Sequence, residues 1–215
     1  MKKNTLFTTA FIALISVGFA ADSHEVTVVN ADSALSTLKK GNATYVAAPV
    51  SSGKPTEAAR AESSKSQHPI AVVVTCSDSR TSPEIIFNQN LNRVFVVRTA
   101  GNLVDDIGLG SIEYAVEHLG VRLIVVMGHQ SCGAVKATVA GGKVPPHINS
   151  IVNQIKPAVA QARKEKGDLL SNSIQANAIR VSQKIQHDSA LKNVHDVKVV
   201  PAVYSLDSGK VNWLN

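Results

Sequence analysis

The chain has 215 residues, a length suited to one domain with a substantial core. Hydrophobic residues make up 44% and aromatics only 4%, so that core is expected to be aliphatic. The net charge is +6, yet the charges are scattered and the one short basic cluster, Arg163-Lys164-Glu165-Lys166, reads as a solvated helix end; with no basic stripe interleaved with aromatics, no nucleic-acid partner is expected.

Residues 1–20 read as a secretory signal peptide. Lys2 and Lys3 make a positive start, residues 6–19 are apolar, and Gly18-Phe19-Ala20 presents small residues where a signal peptidase reads them, so cleavage is expected after Ala20. The apolar run is shorter than the ~20 residues a bilayer span needs, which favours cleavage over an uncleaved anchor. Nothing later in the chain is long and apolar enough to span. Residues 21–215 are therefore expected to form a single domain of net charge +4, delivered across the inner membrane to the periplasm.

A loose polar lead at 21–30 precedes a helix at 31–45, where Ala34, Leu35 and Leu38 share a face, Asp32 caps the start and Gly41 supplies the stop. So small a sheet offers that face no obvious partner, and this N-terminal arm is expected to lie on a neighbouring subunit. Residues 46–66 are rich in Pro, Ser, Gly and Ala, with a helical stretch at 56–62. Continuous β-branched runs follow at 70–75, 94–97 and 123–127, the pattern of strands buried on both faces. A fourth run at 197–200 continues through 202–204, and Gly209-Lys210 turns the chain into a last strand at 211–214. Helical patterns occupy 111–118, 132–140, 148–164 and 172–191. Strands alternating with helices predict an α/β fold, a mostly parallel central sheet flanked by helices, with the N-terminal helical arm outside it.

Open parallel sheets gather ligands beyond the carboxyl ends of their strands. Three such ends carry unusual residues: Cys76-Ser77-Asp78-Ser79-Arg80, Arg98-Thr99-Ala100-Gly101-Asn102 and Gly128-His129-Gln130-Ser131-Cys132. The two cysteines of an exported chain would by default form a disulfide. That reading leaves His129, Asp78 and Arg80 without a purpose. Two thiolates and an imidazole suit zinc, and three protein ligands leave a fourth position open. Cys132 opens a helix, where the thiolate is favoured. If residues 76–78 are extended, Asp78 shares a side with Cys76 and reaches the same ion, while Arg80 can hold the Asp78 carboxylate. A closed structural site with Asp78 as fourth ligand remains open at this point. Gly108-x-Gly110 lacks the preceding strand and third glycine of a dinucleotide fingerprint and is expected to pack closely at a helix start. His24, His68, His118, His147, His187 and His195 read as surface or helix-end residues.

The pattern Cys76-x-Asp78-x-Arg80 … His129-x-x-Cys132 resembles the signature of the β-class carbonic anhydrases. Leu38-Lys39-Lys40-Gly41-Asn42, Phe95-Val96-Val97-Arg98, Ala100-Gly101-Asn102, Ser111-Ile112-Glu113-Tyr114-Ala115 and the final strands fall in the family's order. The resemblance implies reversible hydration of carbon dioxide to bicarbonate and a proton by zinc-bound hydroxide, with one zinc per chain. It implies Cys76, His129 and Cys132 as ligands, Asp78 either on the metal or paired to Arg80 as a catalytic dyad, and a substrate pocket of Gln67, Phe95, Ala100, Tyr114 and the Gly133 backbone. Gln67 and Tyr114 resemble the plant-like, open-site subgroup. The partners implied are the small substrate and further copies of the chain, a homodimer or homotetramer whose subunits share pocket residues.

Overall fold

The computed structural model describes residues 28–47 and 55–214. The expected signal peptide, its cleavage site and His24 lie outside them. Five strands form one sheet in the order β2-β1-β3-β4-β5. They are β1 (Ala71–Thr75), β2 (Val94–Arg98), β3 (Leu123–His129), β4 (Lys198–Tyr204) and β5 (Val211–Trp213). The first four run parallel and β5 closes the edge antiparallel to β4. This is the mostly parallel α/β sheet the sequence predicts.

The period-two alternation of side chains explains why β1 and β3 are apolar throughout. Val72 and Val74, with Ile124 and Val126, face a core built by helices α4 (Asp106–Glu117), α5 (Gly133–Ala140), α6 (Pro146–Ala162) and α7 (Leu169–Gln186). Ala71 and Val73, with Leu123, Val125 and Met127, face the opposite way onto α1 (Ala31–Ala47) and α3 (Pro83–Ile86). Both β1 and β3 are buried along their whole length. Each valine so buried stabilises the fold by about 1.5–3 kcal/mol relative to exposure. Helix α2 (Glu57–Ser63) buries none of its residues.

Four expectations change. Helix α1 does have a partner in its own chain: Ala34 and Leu38 are fully buried in the core with Val73, Val125 and Met127. It is capped by Asn30, whose side chain accepts from the Asp32 amide at 2.8 Å, while Asp32 pairs with Lys198. Gly41 does not end this helix. A Cβ there would stand 1.8 Å from the Phe87 carbonyl oxygen, so the glycine permits a helix-to-backbone approach. Helices α4 and α7 also start earlier than their apolar periodicity suggests, because Asp105 accepts from Gly108 N and Asp168 from Ser171 N. Gly108 and Gly110 consequently fall inside α4.

The crossover from β1 leads to β2 on one side, and the next crossover returns to β3 on the other. Because β3 in turn leads to β4, the loops leaving β1 and β3 diverge, the arrangement in which open α/β sheets bind ligands at the carboxyl edge.

Candidate metal centre

Thr75 pairs with Met127, so Cys76, one residue beyond β1, comes abreast of the end of β3, where His129 is the last strand residue. Ser131 then turns the chain with a left-handed φ of 60°, and Cys132 sits at the N-cap of α5. Strand end, turn and helix start thus converge. The ligand atoms of Cys76, His129 and Cys132 all lie within 4.8 Å of one another, and all three residues are buried. The two cysteines are not joined in a disulfide.

The donor chemistry of this cluster fits a metal ion. His129 Nδ1 lies 2.9 Å from the Gln130 carbonyl oxygen, which assigns the proton to Nδ1 and leaves the Nε2 lone pair toward the sulfurs. Nε2 is buried and has no hydrogen-bond partner, a costly arrangement unless a cation takes the lone pair. The neighbouring Cys132 thiol holds the Cys76 thiol far below its ordinary range, assisted by the Gly101 amide, against burial. The Cys76 thiol, together with burial, pushes the Cys132 thiol up, while the amides of Val135 and Ala134 pull it down. A cation bound by both sulfurs would favour the thiolate on each.

Asp78 and Arg80 form a fork at the rim. Asp78 Oδ1 accepts from Arg80 Nε at 2.9 Å and from the Arg80 amide at 3.0 Å, and Oδ2 accepts from Nη2 at 2.7 Å. The guanidinium holds the Asp78 carboxyl well below the usual carboxylate range. Oδ2 also stands 3.9 Å from His129 Nε2. The ladder with the β2 end continues past Cys76, the Ser77 amide donating to the Thr99 carbonyl, and the chain then turns at residues 79–80, with the Thr81 amide donating to the Asp78 carbonyl. The carboxylate therefore faces Arg80 while remaining next to the imidazole.

Ala100 begins a short 3₁₀ turn, Ala100–Asn102, at the end of β2, and the Gly101 amide donates to Cys76 Sγ at 3.4 Å. Gly133 opens α5 with no atom within 4 Å of where a Cβ would stand, and its amide is one of the helix-start donors without an intrahelical acceptor. The other three pocket candidates are not brought to the sulfurs within one chain. Phe95 pairs with Val72, four residues before Cys76, which is about 13 Å along the strand. Gln67 precedes β1, at its amino end, and is exposed. Tyr114 is an exposed α4 residue whose ring lies against His118. His68, His118, His147, His187 and His195 are all exposed.

Several residues that shape the site were not singled out from sequence. Arg98 donates through Nε to the Cys76 carbonyl at 3.1 Å and through Nη2 to the Asp78 carbonyl at 2.7 Å. Thr81 Oγ1 reaches the same two carbonyls. Gln130 Oε1 accepts from Leu206 N, tying the end of β3 to the β4–β5 turn. Asn177 Nδ2 donates to the Gly101 carbonyl at 2.8 Å. Asn177 had a legible signal: an amide on the apolar stripe of α7, among Ile174, Ala178 and Val181.

Comparison with known proteins agrees with this geometry. A family profile described as carbonic anhydrase matches residues 71–211. The carbonic anhydrase of Mycolicibacterium smegmatis is 49% identical over 132 residues, covering 59% of this chain and 64% of that protein. Carbonic anhydrase 2 of Mycobacterium tuberculosis is 45% identical over 132 residues, covering 60% and 64%. The match thus spans just under two thirds of the length of these relatives. Among solved structures, the Coccomyxa β-carbonic anhydrase in complex with acetazolamide superposes with a TM-score of 0.66 at 28% identity, covering 72% of this chain and 75% of that one. A Sordaria macrospora structure described as a tetrameric β-carbonic anhydrase gives a TM-score of 0.68 at 21% identity, covering 73% and 85%, a likeness of fold. A motif at two adjoining strand ends, a profile match from β1 to the start of β5 and shared architecture converge: the chain belongs to the carbonic anhydrase family, in its β class.

Proposed function

We infer that this protein binds one zinc ion through Cys76, His129 and Cys132 and catalyses the reversible hydration of carbon dioxide to bicarbonate and a proton. The observation that carries the reading is the buried, unpartnered Nε2 of His129 beside two thiol sulfurs, with a carboxylate held off by Arg80 at the rim. A bound zinc ion supplies the Lewis acidity that makes hydroxide available near neutral pH.

The chain's own residues do the rest. The Gln130 carbonyl accepts a hydrogen bond from His129 Nδ1–H and so fixes the ligating tautomer. Arg80 engages both oxygens of Asp78, keeping it a carboxylate that accepts a proton-bearing oxygen's hydrogen bond and orients it. This pairing favours a resting state with the fourth metal position open, as in the subgroup the sequence resembles. The amide of Gly133, at a helix start, is a donor for the oxygen that gains negative charge. Phe95 and Ala100 offer apolar surface to a non-polar gas, and Gln67 a further donor. Because Gln67, Phe95 and Tyr114 lie away from the sulfurs of their own chain, the complete pocket is assigned to a homodimer or homotetramer in which a partner copy supplies them. Residues 1–20 are assigned to export, which places the enzyme in the periplasm; sequencing the amino terminus of the periplasmic fraction checks cleavage after Ala20.

The test of function is carbon dioxide hydration by stopped-flow pH change, with zinc measured by mass spectrometry on the same samples. One zinc per chain and rapid hydration are expected, with both lost in His129→Ala. Full activity without metal would overturn the reading.

A further inference from the structure

We propose that Asn177 is a positioning residue of the metal centre, fixing the Gly101 segment so that the Gly101 amide donates to the Cys76 sulfur. The inference rests on the metal reading above and adds to it a residue from a helix that supplies no ligand.

The loop after β2 has two successive left-handed residues, Gly101 at φ 74° and Asn102 at φ 49°. Such a pair is disfavoured for ordinary residues and persists where the surroundings hold it. The holds come from side chains. Thr99 Oγ1 donates to the Leu103 carbonyl within the loop. From α7, Asn177 Nδ2 donates to the Gly101 carbonyl at 2.8 Å, and Lys184 Nζ donates to the Val104 carbonyl at 2.7 Å. Asn177 and Lys184 are seven residues apart, two helical turns, so one face of α7 grips the loop at two points. Asn177 is only 2% exposed and Gly101 is itself buried, so no water competes strongly for either group.

The carbonyl that Asn177 holds and the amide that meets Cys76 Sγ at 3.4 Å belong to the two peptide groups flanking the Gly101 α-carbon. With one peptide plane fixed and the dihedral between them set, the other plane is aimed. A hydrogen bond to a ligating thiolate withdraws electron density from sulfur and restrains the ligand, and removing such outer partners costs about 10–100-fold in metal affinity or activity. A merely structural Asn177 would satisfy the Gly101 carbonyl and leave the sulfur unaffected.

The two roles separate in cobalt(II)-loaded protein, where the near-ultraviolet sulfur-to-cobalt charge-transfer band reports the electron richness of the thiolates. In Asn177→Leu the band is expected to move to lower energy, and the zinc form should lose its metal to a chelator roughly tenfold faster or more. Ile185→Val, on the same helix and fully buried, should lower stability without moving the band. Asn177→Ser, whose hydroxyl is too short to reach Gly101, covers the case in which the leucine variant does not fold, and the same band shift is expected. An unshifted band with wild-type zinc retention in either folded variant would overturn the proposal. A wild-type protein showing no sulfur-to-cobalt band would overturn the metal reading itself, and this inference with it.

Discussion

Gly101→Ala tests how tightly the second loop is built against the metal centre. The residue's φ of 74° and ψ of 21° lie in the left-handed region, which costs an L residue about 1–2 kcal/mol. The added Cβ would also stand 2.9 Å from Ile155 Cδ1 and 3.3 Å from Ala134 Cβ. Ile155 is fully buried, so it has little room to withdraw, and overpacking of this kind costs about 1–3 kcal/mol. The two effects together predict a loss of ~2–5 kcal/mol. Urea denaturation of the zinc-loaded protein measures it, with zinc content followed in parallel because the Gly101 amide meets Cys76. The two contributions can be parted. Ile155→Val removes the Cδ1 atom and alone costs about 0.5–1.5 kcal/mol. Combined with Gly101→Ala it should relieve the steric share, so the double variant is less destabilised than the sum by roughly 1 kcal/mol or more, while the backbone share remains. Strict additivity, or a single variant within about 0.5 kcal/mol of wild type, would refute the reasoning.

Arg80→Ala should keep zinc but lose most activity: Asp78, which stands 3.9 Å from His129 Nε2, is then free to occupy the open metal position, and the visible spectrum of the cobalt form should change to that of a closed site. Normal turnover in that variant would show that the fork is not a gate. Light scattering of active enzyme should give a dimer or tetramer mass, since Gln67, Phe95 and Tyr114 need a second copy to reach a metal; an active monomer would refute the shared pocket.

The sheet was legible because β1 and β3 are buried on both faces, which leaves an unbroken apolar run that few other structures tolerate. The metal set was legible for a related reason: once those runs are strands, parallel pairing places Cys76 and His129 at one edge despite their separation in sequence. What escaped was set by contacts between distant parts of the chain. Gly41 reads as a helix stop in any local window, and only the Phe87 carbonyl explains it. Arg98 stands out at a strand end, but its role is visible only when the Cys76 and Asp78 carbonyls turn toward it. The turn that carries Arg80 back to Asp78 escaped as well, because Thr81 offers it both an amide and a hydroxyl, a local competition that alternation of side chains does not register.

Two of the three proposed metal ligands are the chain's two cysteines, which would couple metal loss to oxidation. The two sulfurs belong to a set whose ligand atoms lie within 4.8 Å, and the Gly101 amide, donating to Cys76 Sγ at 3.4 Å, favours the thiolate there. A disulfide requires ~2.05 Å between sulfurs, so a short collapse joins them once no cation holds them apart. Chemically, a thiolate attacks an external disulfide reagent, releases one thiolate from it, and the second cysteine then displaces the other; the protein loses two electrons and two protons, and the reagent becomes two thiols. Metal-free protein treated with such a reagent is therefore expected to lose both free thiols, to weigh two hydrogens less, and to refuse zinc until a dithiol reductant is added. The zinc-loaded protein should keep both thiols under the same treatment, because a thiolate engaged with the metal is a poor nucleophile and burial limits access. The assay is a thiol count and intact mass for the two forms side by side, followed by zinc uptake with and without reductant. Persistence of two thiols in the metal-free form, with full zinc uptake and no reductant, would show that the strand end and the α5 start hold the sulfurs too rigidly to meet.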